Sequence, residues 1–498
     1  MQTIFHENTA VYFRVRSKKN PEKKVCLDRP DIFTFPRGSV ILNKNTEVPN
    51  MISYSGLLAK LQERNMKKSD LVSALGISSH TVAKIGRGER IADPVLRKIE
   101  DHFGCSPDVL WEDKSVSGKT GGRMLLIKNA TVYDPACRGK KDVLIAFDRI
   151  LAVEDSLSPL GFDAEVIDAS GKILVPGLID QHVHVIGGGG EEGPRSRVPE
   201  IVFSDIVKAG VTTLVGVLGT DGVTRDVETL LAKTKALNEE GVTAKCLTSA
   251  YNYPPVTLTG SVMRDIVFLS EVLGCKLAIA DHRACHPTRD EIIRLVSEVR
   301  MAGLIGGKPG VLHIHVGIDP AGIEPLMDIV RTTDIPVFHF RPTHMTRHIE
   351  QAVPFNEMGG YADFTAHDSL APLLYGYRDR LDPSLVTISS DSNGSMPKWD
   401  ASHEHVIGMG VGKMTSLLKT LRQLVAEGFA LEQALPFFTE NVAKGLLMYP
   451  RKGAVRPGSD ADLLLLKEDL TADTLVAKGQ ILMRDGRVTK FGYYEDPT

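Results

Sequence analysis

The sequence predicts an α/β protein: a (β/α)8 TIM-like barrel, a small flanking β-sandwich domain, and an N-terminal all-α helix-turn-helix domain. Three observations carry this expectation. Eight short apolar runs after residue 173 end in polar residues, and helix-like segments separate most of them. β-rich pieces flank that repeat on both sides, over 124–172 and 453–498. Ahead of them, residues 51–112 carry short helical patterns with caps and glycine stops.

Composition sets the frame. The 498 residues are 42% hydrophobic and 24% charged with a formal net charge of −3, which excludes wholesale disorder and collagen-like or mucin-like chains. No window holds the ~18 uninterrupted apolar residues of a membrane span. The start, "MQTIFHENTAVYFRVRSKKN", lacks the apolar core of a secretion signal. Six cysteines without C-x-x-C spacing read as reduced thiols, so the cytoplasm is the expected compartment. Residues 1–123 hold 21 Lys+Arg against 14 Asp+Glu, a balance of +7, whereas 124–498 hold 38 against 48, a balance of −10. Such asymmetry points to two modules with different partners.

Residues 1–50 are left unassigned, although "RPDIFTFPRGSV" has strand character. In 51–112, "SGLLAKLQERN" spaces Leu57, Leu58 and Leu61 helically, and "KKSDLVSALG" places Leu71, Val72 and Leu75 on one face before Gly76. "ISSHTVAKIGRG" follows from a serine cap, and "DPVLRKIEDHFG" carries Pro94 in its first turn, where a missing N–H costs little. This stretch, with its closing "CSPDVLWE", resembles the Cro/repressor-type DNA-binding domain. The resemblance implies a recognition helix over 78–85, with Ser79, His80 and Lys84 toward the groove and Arg87 and Arg90 toward phosphates. The alternative is a small helical docking domain whose basic residues are merely solvated. The Gly/Ser-rich "DKSVSGKTGGR", residues 113–123, reads as a linker.

The β-rich pieces hold "MLLIKNATVYDP" and "DVLIAFDRILAVE" on one side and "ADLLLLKEDLTADTLVAKGQILMRDGRVTKFG" on the other, and are expected to meet in one small domain. Between them, 173–452 is the expected barrel. Its strand candidates are "LVPGLIDQHVH", "VTTLVGVLGTD", "VTAKCLTSAYN", "CKLAIADHR", "VLHIHVG", "IPVFHFRPTH", "YADFTAHD" and "LVTISSDSNG". Segments such as "TRDVETLLAKTKALNEEG" and "TRDEIIRLVSEVRMAG" are the helices between. In this fold, chemistry sits at the C-terminal ends of the strands.

That is where the candidate ligands lie. His182 and His184 are two apart, so on a strand they share a face and can reach one metal. His315, His344 and Asp391 stand at later strand ends. Imidazole and carboxylate donors suit zinc or a similar divalent ion. A lone strand-end histidine is usually structural; five such donors on one barrel argue otherwise.

Residues 124–498 resemble the amidohydrolase superfamily, and within it the isoaspartyl (β-aspartyl) dipeptidases. The matching stretches are "PGLIDQHVHVIGGGGEEGP", "GVLGTD", "LAKTKALNEEG", "LTSAYN", "DHR", "GGKPGV", "PTHMTR", "SSDSNGS" and "PGSDADLLL". The His-x-His marks only the superfamily; the four-glycine loop with Glu191, "GGKPG" and "SSDSNGS" narrow it. The resemblance implies two Zn2+ ions per subunit. His182 and His184 with Asp391 would bind one, His315 and His344 the other, and Lys276, carbamylated by CO2, would bridge them. Spacing alone does not single out Lys276. His313 and His339 match no ligand of the family and are expected to be packed or to support the ligands from behind.

The resemblance further implies hydrolysis by a hydroxide bridging the two metals. Asp391 would act as general base and then acid, and Tyr251 would donate to the oxyanion. Glu191 would receive the substrate ammonium, Arg283 and Arg347 its carboxylates, and Gly189, Thr220 and Ser395 would add backbone and hydroxyl contacts. The expected substrate is therefore a β-aspartyl dipeptide, the other partner DNA, and the assembly a homo-oligomer without a membrane. Other readings are hydrolysis of a cyclic amide or N-acyl amino acid, or a transcription regulator whose barrel senses a dipeptide. Residues 1–123 could instead belong to a neighbouring reading frame, with Met124 starting the enzyme; the intact mass of the native protein decides that.

Overall fold

The structure, a computed structural model, describes the backbone of 12–15 and 23–26, and residues 52–64, 66–86, 91, 93–105, 110, 112–113, 124–158, 164–399 and 406–496. The chain divides into two compact units, Leu27–Arg123 and the remainder. "RPDIFTFPRGSV", Arg87, Arg90 and nearly all of 113–123 lie outside the described residues. Tyr12–Val15 pairs antiparallel with Lys23–Cys26, in a segment where the sequence analysis assigned nothing.

The smaller unit holds helices Ser55–Glu63, Asp70–Leu75, Ser79–Gly86 and Asp93–Phe103. Each boundary has a local cause. Gly76 and Gly104 adopt left-handed φ of 63° and 62°, which ends the preceding helices. Ser78 Oγ accepts from Thr81 N at 3.1 Å, so the third helix is capped by the serine the sequence offers. Leu57, Leu61, Leu71, Ile85, Ile99 and Phe103 form the core. Leu58 and Val72, expected on the apolar faces, are instead 38% exposed each. Leu57 and Leu61 are one turn apart and fill the narrow core between short helices, which leaves their neighbours at the rim.

In the larger unit, parallel strands and helices alternate. Leu178–Val183, Val211–Gly216, Thr243–Thr248, Val272–Ile279, Val311–Val316 and Phe340–Thr343 form one continuous parallel ladder, and Ala362–Thr365 pairs with Val386–Ser389. The first and last of these eight strands meet where Val183 bridges Ser392 and His184 N donates to Ser392 O at 2.9 Å. Asp180, on the first strand, also accepts hydrogen bonds from Ser390 N and Oγ, beyond the last. The strands are buried on both faces, as expected for a parallel sheet covered by helices such as Val227–Glu240 and Arg289–Gly306.

A nine-stranded mixed sheet joins both ends of this unit: Leu463–Leu466 pairs with Ile173–Pro176, which pairs in turn with Met124–Asp134. Leu463 and Leu465 pack into the core of that sheet, while Leu464 and Leu466 pack into the barrel core. The twofold strand period thus makes "LLLL" a seam between two apolar cores. The expected first barrel strand, "LVPGLIDQHVH", is a correction: it is two strands. Ile173–Pro176 belongs to the nine-stranded sheet and the barrel begins at Leu178, beyond the expected boundary at 173. Pro176 has no N–H to continue a ladder, and a Cβ on Gly177 would stand 2.3 Å from the Thr212 side chain, so only glycine fits between the two sheets. Among the described residues, no helix is long and apolar enough to cross a membrane.

Candidate active site

The C-terminal strand ends converge on a buried cluster of nitrogen and oxygen donors. His182 lies on the first strand, His184 follows it, Lys276 lies on the fourth, His315 on the fifth, and His344 and Asp391 just beyond the sixth and eighth. His182 Nε2 and His184 Nε2 lie 3.5 and 3.1 Å from Asp391 Oδ1, and Lys276 Nζ lies 3.3 Å from His182 Nε2. The His344 ring centroid is 5.1 Å from that of His182 and 4.6 Å from that of His315. All six predicted ligands are therefore brought together.

Burial sets their charge states. Burial pushes the Lys276 ammonium down to about 7, so a large share is free amine near neutrality. Burial lowers His315 to about 4 despite Asp281, and holds His182 and His344 well below the usual imidazole value. Neutral imidazoles are what a divalent cation requires. His344 and Asp391 also adopt left-handed φ of 66° and 52°, conformations non-glycine residues rarely take except where the surroundings enforce them.

The donors fit a metal. His184 Nδ1 is buried without a hydrogen-bond partner, and Asp391 Oδ1 makes no aligned hydrogen bond although two imidazoles face it. His182, His184 and Asp391 form one group whose ligand atoms lie within 4.8 Å of one another. A second such group, His182, His313 and Asp363, is saturated. Each Asp363 oxygen already accepts two hydrogen bonds, from Gln181 and Thr387 on one side and Thr343 and Ser389 on the other. His313 Nε2 stands 3.2 Å from His182 Nδ1, on the ring edge away from Lys276 and Asp391. His313 is a prop behind a candidate ligand. His339 bonds the Gly310 carbonyl, outside the cluster.

The glycine loop packs on this cluster. A Cβ on Gly188, Gly219 or Gly394 would stand 3.4, 3.1 or 2.9 Å from the His184 ring, so these glycines enclose the imidazole. Gly187 and Gly189 take positive φ, and a Cβ on either would strike the carbonyls of Val198 or Ser196. Arg225 holds both sides of the loop, donating to Ile186 O and Val198 O.

Beyond the loop, Glu191 Oε1 accepts from Ser395 Oγ at 2.6 Å, Thr220 Oγ1 at 3.2 Å and Arg283 Nη1 at 3.1 Å. Three predicted substrate contacts thus meet at the carboxylate of a fourth, Glu191. Arg347 lies exposed on the one-turn helix after His344. Tyr251 Oη is 2.7 Å from His315 Nδ1, and burial holds the phenol well above its usual value, so it remains a donor. Sequence reasoning missed Asp281, buried at the end of the fourth strand, which touches both His315 and Arg283. The only sequence signal was a carboxylate two residues before an arginine in "ADHR". In the smaller unit, Ser79 and His80 are exposed and Lys84 is half-buried.

Comparison with known proteins agrees with this division. The Cro/C1-type HTH DNA-binding domain matches residues 57–113 and the amidohydrolase family matches 366–489. The β-aspartyl dipeptidase of the thermophilic keratin degrader Fervidobacterium islandicum AW-1, solved in complex with β-Asp-Leu, is 40% identical with a TM-score of 0.70, covering 74% of this chain and 100% of its own. The dihydropyrimidinase of Brevibacillus agri NCHU1002 shares the fold at 17% identity and a TM-score of 0.54, over 74% of this chain and 97% of its own. The adenine deaminase of Moorella thermoacetica is 26% identical over 369 residues, 70% of this chain and 55% of its own length. This chain therefore spans little more than half of that curated relative. Full coverage of a 40%-identical dipeptidase structure decides the family: the chain belongs to the β-aspartyl dipeptidases of the amidohydrolase family.

Proposed function

We propose that residues 124–498 hydrolyse the isopeptide bond of β-aspartyl dipeptides with two divalent ions, zinc or a similar metal, and that residues 51–112 bind DNA. One observation carries the first part: six metal-type donors converge at the strand ends, beside a Glu191–Arg283 pair suited to a zwitterion. The β-Asp-Leu bound by the 40%-identical relative supports the substrate class.

His182, His184 and Asp391 would hold one ion, His315 and His344 the other, and Lys276, as its carbamate, would bridge them. When bound, the two ions supply Lewis acidity and bring the pKa of a shared water toward neutrality. Asp391 takes the proton of the attacking water on its carboxylate and returns it to the leaving amine. Tyr251 Oη donates to the carbonyl oxygen as negative charge develops there. Glu191 orients the substrate ammonium, while Arg283 and Arg347 offer guanidinium N–H groups to its carboxylates. Thr220 and Ser395 fix the Glu191 carboxylate, and the backbone at Gly189 closes the substrate side.

The test is hydrolysis of β-Asp-Leu against α-Asp-Leu by the full chain, with and without a chelator. Cleavage of the β isomer alone, lost on chelation and restored by zinc, is the expected result. A zinc-loaded protein that leaves β-Asp-Leu intact sinks this reading in favour of another amide or a sensor.

The second part is supported by the capped helix Ser79–Gly86, which presents Ser79 and His80 outward. The full chain is expected to bind duplex DNA with an affinity that falls steeply with salt. Arg87→Ala and Arg90→Ala, at the positions assigned to phosphates, should each reduce the slope of log K against log salt by about 1. Fluorescence anisotropy at several salt concentrations measures it, and salt-independent binding or none would contradict the DNA reading.

A further inference from the structure

We propose that Asp281 is a positioning residue for both halves of the site: it anchors His315 through Nε2, which leaves Nδ1 as the ligand nitrogen, and fixes Arg283 beside Glu191. The inference rests on the ligand and substrate assignments above.

Asp281 is buried, and its oxygens are fully used. Oδ1 accepts from Arg283 N at 2.8 Å and Arg283 Nε at 2.9 Å; Oδ2 meets Arg283 Nη2 at 2.8 Å and His315 Nε2 at 2.8 Å. Arg283 N, Nε and Nη2 can only donate, and between them they reach both oxygens, so each Asp281 oxygen serves as an acceptor. His315 Nε2 then carries the hydrogen, and Nδ1 is the lone-pair nitrogen, to which Tyr251 Oη donates at 2.7 Å in the absence of a ligand. Arg283 Nη2 lies 3.3 Å from the same ring nitrogen, so both N–H groups converge on one carboxylate oxygen. The imidazole tautomer and ring plane are thereby set before any ligand binds, the outer-shell role that carboxylates play behind metal-bound histidines.

The same carboxylate governs charge at the substrate end. By occupying the Nε/Nη2 edge of Arg283, it leaves only Nη1 to Glu191. Asp281, Glu191 and Arg283 together carry one net negative charge, suited to an ammonium. Without Asp281, the guanidinium is free to turn its bidentate edge onto Glu191 and neutralise it.

Full-chain Asp281→Asn puts an amide N–H or a neutral oxygen against His315 and Arg283. Zinc titration against a competing chelator is expected to show one of two ions bound about 10–100-fold more weakly, with the other unchanged. The KM for β-Asp-Leu should rise in the same variant. Arg283→Gln should raise KM with a smaller loss of zinc affinity than Asp281→Asn, because the His315 bond to Asp281 Oδ2 remains, and Asp281→Glu should recover part of the lost zinc affinity. Unchanged zinc binding in Asp281→Asn overturns the proposal, as does a wild type that binds fewer than two ions. If Asp281→Asn does not fold, Asp281→Glu decides the matter through a smaller loss at the same ion; no loss overturns the proposal. Because zinc titration needs no substrate, wild-type failure on β-Asp-Leu defeats the substrate reading without touching this arm.

Discussion

Asp391→Asn is expected to lower kcat for β-Asp-Leu by about 10²–10⁴-fold, the range a positioned general acid–base contributes. The side chain sits where both halves of that role can be served. Its Oδ1 faces His182 and His184, and the backbone is held in a left-handed conformation just past the eighth strand. Gly394 and Gly412 crowd it: a Cβ on the first would lie 2.4 Å from Oδ1, and on the second 2.1 Å from the Asp391 carbonyl. Asparagine keeps the size and one oxygen donor but cannot hold a proton between attack and departure of the amine. Metal content measured on the same sample separates the two contributions. A kcat drop with two ions still bound assigns the loss to proton transfer, and kcat within about threefold of wild type would refute the role.

The second large effect is on stability. Asp265 is fully buried and its carboxylate collects four donors, one from the end of the third strand and three from the loop after it: Thr248 Oγ1 at 2.5 Å, Leu258 N at 3.0 Å, Thr259 N at 2.8 Å and Thr259 Oγ1 at 2.7 Å. That loop runs from the end of the third strand to the helix Val262–Phe268 and carries Tyr251. Asp265→Ala would leave these donors without partners in a space closed to bulk water, at about 1–3 kcal/mol for each that stays unsatisfied. The net expectation is a loss of about 3 kcal/mol or more, because small shifts rescue some of the four. Hydrogen exchange across 249–261 reads the effect locally, which suits a chain of two units whose global unfolding need not be two-state. Exchange in that loop should accelerate together with a fall in kcat as Tyr251 loses its seat. Unchanged exchange there would show that the loop is held by other means.

Much of this protein is legible in its sequence because the physics involved is local. Apolar periodicity gave the alternating strands and helices, caps and glycines gave helix ends such as those at Ser78 and Gly76, and two-residue spacing put His182 and His184 on one face. Family resemblance, not spacing, pointed to Lys276; its position in the middle of an apolar strand only makes sense once burial has lowered its ammonium to about 7. Leu58 and Val72 were misplaced because helical spacing marks an apolar stripe without saying how wide a core awaits it.

What the tertiary structure alone decided are relations between groups far apart in the chain. Position 177, between the two sheets, requires glycine because the Thr212 side chain fills the space a Cβ would take. Asp363 is excluded as a ligand because four side chains from three other strands saturate it. His313 is a prop because His182 turns its other nitrogen to Lys276. Asp281 joins a candidate ligand 34 residues away to an arginine two residues away. Such pairings follow from barrel register, which brings together residues that no local period relates. The sequence therefore determined which elements form and which donors stand at their ends; the fold decided which of those donors face one another and which are already satisfied.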